Sequence, residues 1–126
     1  MRLRKIWLLC NLVCIIPGAF AQQFIHPGVL HSEKSLERIK RLVDQKAQPA
    51  YGSYEILAKL PEARADYQMK GPFEIISRDG KYGYTKGPSE RDFNSAYYNA
   101  LLWKITGKKA HADKPMEIIR AYARTV

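Results

Sequence analysis

The chain has 126 residues, 46% of them hydrophobic, which is enough for one small domain built around an ordinary apolar core. Its formal charge is +9, and its two cysteines, Cys10 and Cys14, both lie near the start of the chain. The rest of the chain has no cysteine, which excludes a disulfide scaffold, a thiol nucleophile and a zinc–cysteine site there.

The first segment has the pattern of a secretory signal peptide. Basic residues within 2–5 precede an apolar run over 6–16, and Ala19-Phe20-Ala21 gives the small-x-small cleavage pattern. The run is shorter than the roughly 20 residues that a spanning helix needs. We therefore predict a signal peptide over 1–21, residues 22–126 as part of one domain, a periplasmic or secreted location, and no membrane contact after cleavage.

The charge that remains after cleavage indicates the class of partner. Losing three basic residues lowers the formal charge from +9 to about +6. In an exported protein this favours an acidic extracellular ligand, such as a uronic-acid polysaccharide, over nucleic acid. The basic segment 33–46 also lacks aromatic residues on which bases would stack. The alternative is a basic surface without a specific partner.

Two helices are predicted in the first half of the domain. Ser32 is a suitable N-cap for a helix whose apolar residues recur at helical spacing: Leu36, Ile39, Leu42 and Val43. Pro49 opens a second, shorter helix, which Pro61 ends. A long segment over 61–88 follows; its turn signals predict a loop, and its aromatic residues predict that the loop is ordered. Residues 73–76 are expected to pair briefly as a strand.

Two more helices are predicted in the second half. A capping-box pattern places Ser89 at the start of the third helix and Asp92 in the reciprocal position. The apolar stripe of this helix is predicted to be Phe93, Ala96, Tyr97, Ala100 and Leu101, with Tyr97 in the core. Gly107 is expected to end it. Pro115 should lie in the first turn of a fourth helix or kink it, and His111 should precede that helix in an exposed position.

Together these elements predict an all-α fold of two helical pairs joined by one long ordered loop. Arrays of helical pairs normally need several pairs to bury a continuous core. The segment over 22–126 is therefore expected to be the first part of a larger helical domain.

Three stretches carry a family resemblance: Phe24–Ser32, Ala96–Gly107 and Lys108–Ile119. Their order and spacing resemble the alginate lyase superfamily of secreted bacterial polysaccharide lyases. The departure is Pro115, where the family has a small helix former. The resemblance implies an (α/α) toroid of which this chain supplies the first helices.

The resemblance also implies an activity. Family members cleave uronic-acid polysaccharides by β-elimination, in which a base removes the C5 proton and the glycosidic oxygen leaves at C4. The asparagine–histidine and tyrosine motifs of the family lie in its later helices and have no counterpart here. The chain is therefore expected to hold no catalytic residue, and neither cofactor nor metal site is predicted, because no histidine pair has metal-ligand spacing.

Four residues are the candidates for binding an acidic sugar. Arg78, Lys81 and Tyr82 lie in the long loop, and Asn94 lies near the start of the helix after it. Arginine pairs bidentately with a carboxylate, and tyrosine stacks on a sugar face. The alternative is a turn with a solvated arginine.

We thus predict that the chain is the N-terminal part of a lyase acting on alginate or a related polyuronate. The alternative is a non-catalytic helical module that binds acidic glycan. A nucleic-acid-binding helical domain is disfavoured by the signal peptide.

Overall fold

The computed structural model describes residues 30–125, and within them the protein is all-helical, as predicted. The helices are α1 (Glu33–Asp44), α2 (Ala50–Lys59), α3 (Lys86–Thr106) and α4 (Lys109–Tyr122), with 3-10 turns at Pro61–Ala63 and Gly80–Thr85. The predicted signal peptide and the segment up to Val29 lie outside the described residues. Across 30–125, no helix combines the length and the apolar character needed to span a membrane.

The first two helices begin and end where local chemistry predicts. The Ser32 hydroxyl caps α1 by accepting a hydrogen bond from the Ser35 N–H at 3.2 Å. Pro49 directly precedes α2, and the helix ends before Pro61. Both helix starts are therefore confirmed, because each depends on residues within one turn of the boundary.

The start of α3 differs from the prediction. The helix begins at Lys86, three residues before Ser89. Ser89 is buried inside the first turn, and its hydroxyl donates to the Lys86 carbonyl at 2.8 Å instead of capping the helix. The capping-box prediction is wrong, and the Asp92 carboxylate instead accepts hydrogen bonds from other parts of the chain.

The buried face of α3 is polar over much of its length, and the predicted apolar stripe is buried only in part: Ala96 is buried, whereas Phe93 and Tyr97 are exposed. Asp92, Ser95 and Asn99 are each 0% exposed, whereas Phe93 is 45% and Tyr97 is 39% exposed. Burying polar groups is tolerated only where they find hydrogen-bond partners, and these residues do, as described below. Tyr97 is consequently not a core residue.

The exposed ring of Tyr97 is covered in part by the residue that leads into α1. His31 Nε2 lies 2.9 Å from the Tyr97 hydroxyl, and the two rings stack with their centroids 6.3 Å apart. This contact ties the start of α1 to the middle of α3. It fits a role for His31 in holding a helix start.

Helices α3 and α4 form a tight hairpin. Gly107 ends α3 in the left-handed conformation, with φ of 71°, as predicted. Ile118 of α4 is 0% exposed and packs with Ala96 and Tyr67. Pro115 lies inside α4 and not in its first turn, so of the two predicted positions the one within a longer helix is observed; the carbonyl four residues earlier lacks its helical N–H partner.

The long connection between α2 and α3 contains no strand in the described structure. Residues 73–76, predicted to pair as a strand, are irregular, and Ile75 and Ile76 are exposed. No other strand is present among residues 30–125 to pair with them. The connection is instead held by side chains of α3 and by its own hydrogen bonds.

Candidate functional site

The four predicted sugar-binding residues divide into two groups. Arg78, Lys81 and Tyr82 lie on one short loop, residues 77–85, which ends directly at α3. Asn94 is the ninth residue of α3, about 12 Å along the helix from its first residue. Within residues 30–125, the structure records no hydrogen bond or ion pair that joins Asn94 to the loop.

The loop presents cations beside an aromatic ring. Lys81 Nζ lies 5.4 Å from the centre of the Tyr82 ring, within the range of a cation–π contact. Arg78 and Lys81 are both exposed, and neither pairs with a carboxylate in the described part of the chain. Their charges therefore remain available to an anionic ligand.

A buried carboxylate lies at the other end of the same connection. Asp92 accepts hydrogen bonds from the hydroxyls of Tyr67 at 2.9 Å and Tyr122 at 2.8 Å. It also accepts from the backbone N–H groups of Lys70 at 2.8 Å and Gly71 at 2.9 Å. Each carboxylate oxygen thus receives one tyrosine hydroxyl and one backbone N–H, which we call the Asp92 cluster.

The Asp92 cluster joins three parts of the chain. Asp92 comes from α3, Tyr122 from the end of α4, and the remaining donors from residues 67–71. Gly71 is fitted closely, because a Cβ at this position would collide with the Tyr122 hydroxyl. The cluster is satisfied by its own members, so its role is to hold residues 67–71 against the hairpin.

The cluster also raises the pKa of both tyrosines. Burial is the larger cause of the raised pKa of Tyr67, followed by its hydrogen bond to Asp92 and the charge of that carboxylate. The same causes, in the same order, raise the pKa of Tyr122. Each hydroxyl is the donor to a carboxylate, and losing its proton would place two negative charges side by side.

These shifts predict a loss of stability in alkali. An unfolded tyrosine ionises near pH 10, whereas the folded protein keeps the protons of Tyr67 and Tyr122 to higher pH. Above about pH 10 the unfolded state therefore binds fewer protons, and the free energy of unfolding falls as the pH rises; below that pH the contribution is complete. Urea denaturation between about pH 8 and about pH 11 measures the effect.

The control for this prediction is the double variant Tyr67→Phe/Tyr122→Phe. All other titratable groups are the same in both proteins, so the difference between the two pH profiles isolates the Asp92 cluster. We expect the double variant to be less stable at pH 8 but to lose less stability in alkali. An equally steep fall in both proteins would contradict the assignment.

A second buried polar group ties α3 to the turn after α2. The Asn99 Nδ2 lies 3.2 Å from the Glu62 carbonyl oxygen, 3.3 Å from that of Arg64 and 3.0 Å from that of Ser95. Its Oδ1 lies 2.7 Å from Nδ1 of His111. Because an amide oxygen only accepts, the His111 Nδ1 carries the proton and donates it to this bond.

The position of His111 corrects the sequence-based expectation. It is the third residue of α4 and half-buried, where we had predicted an exposed residue before the helix. Burial, and next the nearby charge of Lys108, lower the pKa of His111 below its ordinary value. Its imidazole is therefore neutral at neutral pH and serves as a hydrogen-bond donor within the hairpin.

The contribution of Asp92, Asn99 and their partners to the fold was not predicted from the sequence. A signal was present, since polar and small residues recur on α3 at intervals of three or four: Ser89, Asp92, Ser95 and Asn99. The competing stripe around Phe93 and Tyr97 is more apolar and was preferred for that reason. Only the hydroxyls and N–H groups supplied by distant residues make the polar stripe the buried one.

No group of three or more potential metal ligands comes together in the region that the structure describes. The polar side chains of this region are of two kinds, exposed and buried. The loop over 77–85 carries the exposed cations Arg78 and Lys81, whereas the polar side chains around Asp92 and Asn99 are hydrogen-bonded within the fold.

Comparison with protein-family models, with curated proteins and with solved structures found no match to this chain. The likeness to the alginate lyase superfamily therefore rests on the sequence motifs alone.

Proposed function

We propose that this chain binds acidic polysaccharide, of the uronic-acid class, through the loop over residues 77–85. The observation that carries the proposal is a short loop on which Arg78 and Lys81 are exposed beside the half-buried Tyr82, with neither cation engaged by a described carboxylate. A guanidinium pairs with a sugar carboxylate, and a phenol ring covers an apolar sugar face. The formal charge of about +6 that remains after removal of the predicted signal peptide draws a polyanion toward the protein.

We further propose that this binding serves a polysaccharide lyase of the alginate lyase kind. Support comes from the motifs in 24–32, 96–107 and 108–119, and from helical pairs of the sort from which an (α/α) toroid is built. Residues 22–126 then form the N-terminal part of the enzyme, and the elimination chemistry comes from elsewhere in it. The protein is exported to the periplasm or the medium.

A non-catalytic glycan-binding module is the second candidate, and one observation favours it. Groups that perform acid–base chemistry in many enzymes, here Asp92, Tyr67 and Tyr122, are bonded to one another below the surface. A carboxylate and phenols so engaged do not reach a bound sugar. Ultraviolet absorbance from unsaturated product separates the candidates: protein from the complete gene yields it if the lyase proposal is right.

Binding is tested with the double variant Arg78→Ala/Lys81→Ala. We expect its affinity for an alginate oligosaccharide to be about 5- to 30-fold weaker, because two charge-assisted contacts are lost. The matched control is Arg38→Ala/Lys59→Ala, which removes one arginine and one lysine from exposed positions on α1 and α2. Isothermal titration at fixed salt gives both affinities.

The two double variants discriminate a specific site from general attraction. If the loop variant alone binds weakly, the site lies where we propose. If both variants weaken equally, binding reflects net charge and the proposed site is wrong. If the unaltered protein does not bind alginate or any other polyuronate, the proposed function itself is wrong.

A further inference from the structure

Thr85 closes the loop that carries the proposed binding residues. Its hydroxyl donates to the Tyr82 carbonyl at 2.7 Å and accepts from the Ser77 N–H at 3.2 Å. The residue is 2% exposed, so this bridge is shielded from water. One hydroxyl therefore joins the first residue of the loop to the backbone near its end.

The use of this hydroxyl is unusual for its position. Thr85 is the N-cap residue of α3, where a threonine side chain ordinarily accepts from an N–H of the first helical turn. No such capping bond is made by Thr85. Its hydroxyl is turned to the loop instead, so α3 loses little when the hydroxyl is removed.

Further contacts within the loop support the same closed shape. The Ser77 hydroxyl donates to the Asp79 carbonyl at 2.9 Å and accepts from the Asp79 N–H at 3.3 Å. Gly83 lies against the Arg78 carbonyl, which would be 3.2 Å from a Cβ at that position. The backbone polar groups thus bond inward, while the side chains of Arg78 and Lys81 are exposed.

We propose that Thr85 is a positioning residue for acidic-glycan binding, and that its hydroxyl preorganises the loop so that Arg78, Lys81 and Tyr82 engage the ligand together. This inference rests on the proposed function. Its physical basis is that a loop already held in its bound shape loses less conformational freedom on binding. Without the bridge, the two cations move independently, and each contact must order its own segment of backbone.

The test compares Thr85→Val with Thr85→Ser. Valine keeps the shape of threonine and lacks the hydroxyl, whereas serine keeps the hydroxyl. With an alginate oligosaccharide as the probe, we expect Thr85→Val to bind about 5- to 30-fold more weakly and Thr85→Ser to bind like the unaltered protein. We also expect a shallower dependence of affinity on salt for Thr85→Val, because fewer cations engage the polyanion at once.

A control separates positioning from general loss of stability. Ile118→Val removes one methyl group from the fully buried core of the hairpin and leaves the loop untouched. It should lower the melting temperature without changing the affinity or its salt dependence. If Ile118→Val weakens binding as much as Thr85→Val does, the effect is one of stability and the positioning role is overturned.

The remaining outcomes are equally decisive. If Thr85→Val binds like the unaltered protein while Arg78→Ala/Lys81→Ala is weakened, the proposed function stands and this inference fails. If the unaltered protein does not bind, both fail. Should Thr85→Val not fold, Ser77→Ala removes, from a half-buried position, the second side-chain hydroxyl that bonds to the loop backbone, and is expected to weaken binding in the same direction; unchanged binding would overturn the inference.

Discussion

Replacing Asp92 by asparagine is expected to lower the free energy of unfolding by about 3–5 kcal/mol. The two carboxylate oxygens accept from the separate N–H groups of Lys70 and Gly71. An asparagine has only one acceptor oxygen, so its NH₂ group must face one of these donors. A buried N–H then stays unpaired, and the bond to a tyrosine hydroxyl on that side must also rearrange.

Urea denaturation followed by circular dichroism measures this loss, with Glu90→Gln as the matched control. Glu90 lies on the same helix, is exposed, and within residues 30–125 pairs only with Lys86 at 3.4 Å, so its substitution should change stability by less than about 0.5 kcal/mol. If Asp92→Asn proves too unstable to purify, Tyr67→Phe removes a single donor and should cost about 1–2 kcal/mol. Near-native stability in both variants would show that the Asp92 cluster does not hold the connection in place.

Replacing Asn99 by aspartate is expected to cost about 2–4 kcal/mol of stability. The substitution removes the amide donor that serves the carbonyls of Glu62 and Arg64 and puts a carboxylate oxygen against them. It also places a negative charge beside Nδ1 of His111. A buried charge facing carbonyl oxygens is unfavourable, and protonation of His111 offsets only part of that cost.

The same substitution has a second readout in the titration of His111. The pKa of His111 is below its ordinary value in the unaltered protein, through burial and the charge of Lys108. A carboxylate at position 99 should raise it above about 6.5, which proton NMR of the imidazole resonances detects. The control is Asn94→Asp, an identical change at an exposed position of the same helix. It should change neither the free energy of unfolding nor the pKa of His111. A His111 pKa that stays low in Asn99→Asp would contradict the contact.

The helix boundaries set by local chemistry were predictable. Ser32 caps α1, Pro49 and Pro61 bracket α2, and Gly107 ends α3. Each signal depends on the conformational limits of one residue or on a hydrogen bond spanning one turn. Such interactions are the same in any tertiary setting, so a single sequence is enough to predict them.

The orientation of α3 was not predictable from periodicity. The helix carries an apolar stripe through Phe93 and Tyr97 and a polar stripe through Asp92 and Asn99, and apolar stripes are the usual choice for a core. The polar stripe is buried because donors from Tyr67 and Tyr122 reach Asp92 across 25 and 30 residues of sequence. The spacing of residues within one helix carries no information about hydrogen-bond partners that lie so far away in the sequence.

In the candidate site, too, some features were predictable from the sequence and others only from the structure. The residue types of the loop, Arg78, Lys81 and Tyr82, indicate an acidic-sugar ligand from the sequence, because their chemistry belongs to the side chains themselves. The role of Thr85 needed the structure, since nothing in its sequence context distinguishes a capping hydroxyl from one that closes a loop. The distance of Asn94 from the loop also needed the structure, which starts α3 at Lys86 and makes Asn94 its ninth residue.

By itself, then, the sequence determined the all-helical class, the helix ends at capping and stop residues, and the basic, aromatic character of the long connection. Tertiary structure alone decided which face of α3 is buried, what Asp92 and Asn99 bond to, and how the loop is closed. The physical reason is the range of the interactions. Caps and stops act within one turn of a helix, whereas the burial of a polar side chain is decided by donors that only the folded chain brings within hydrogen-bond distance.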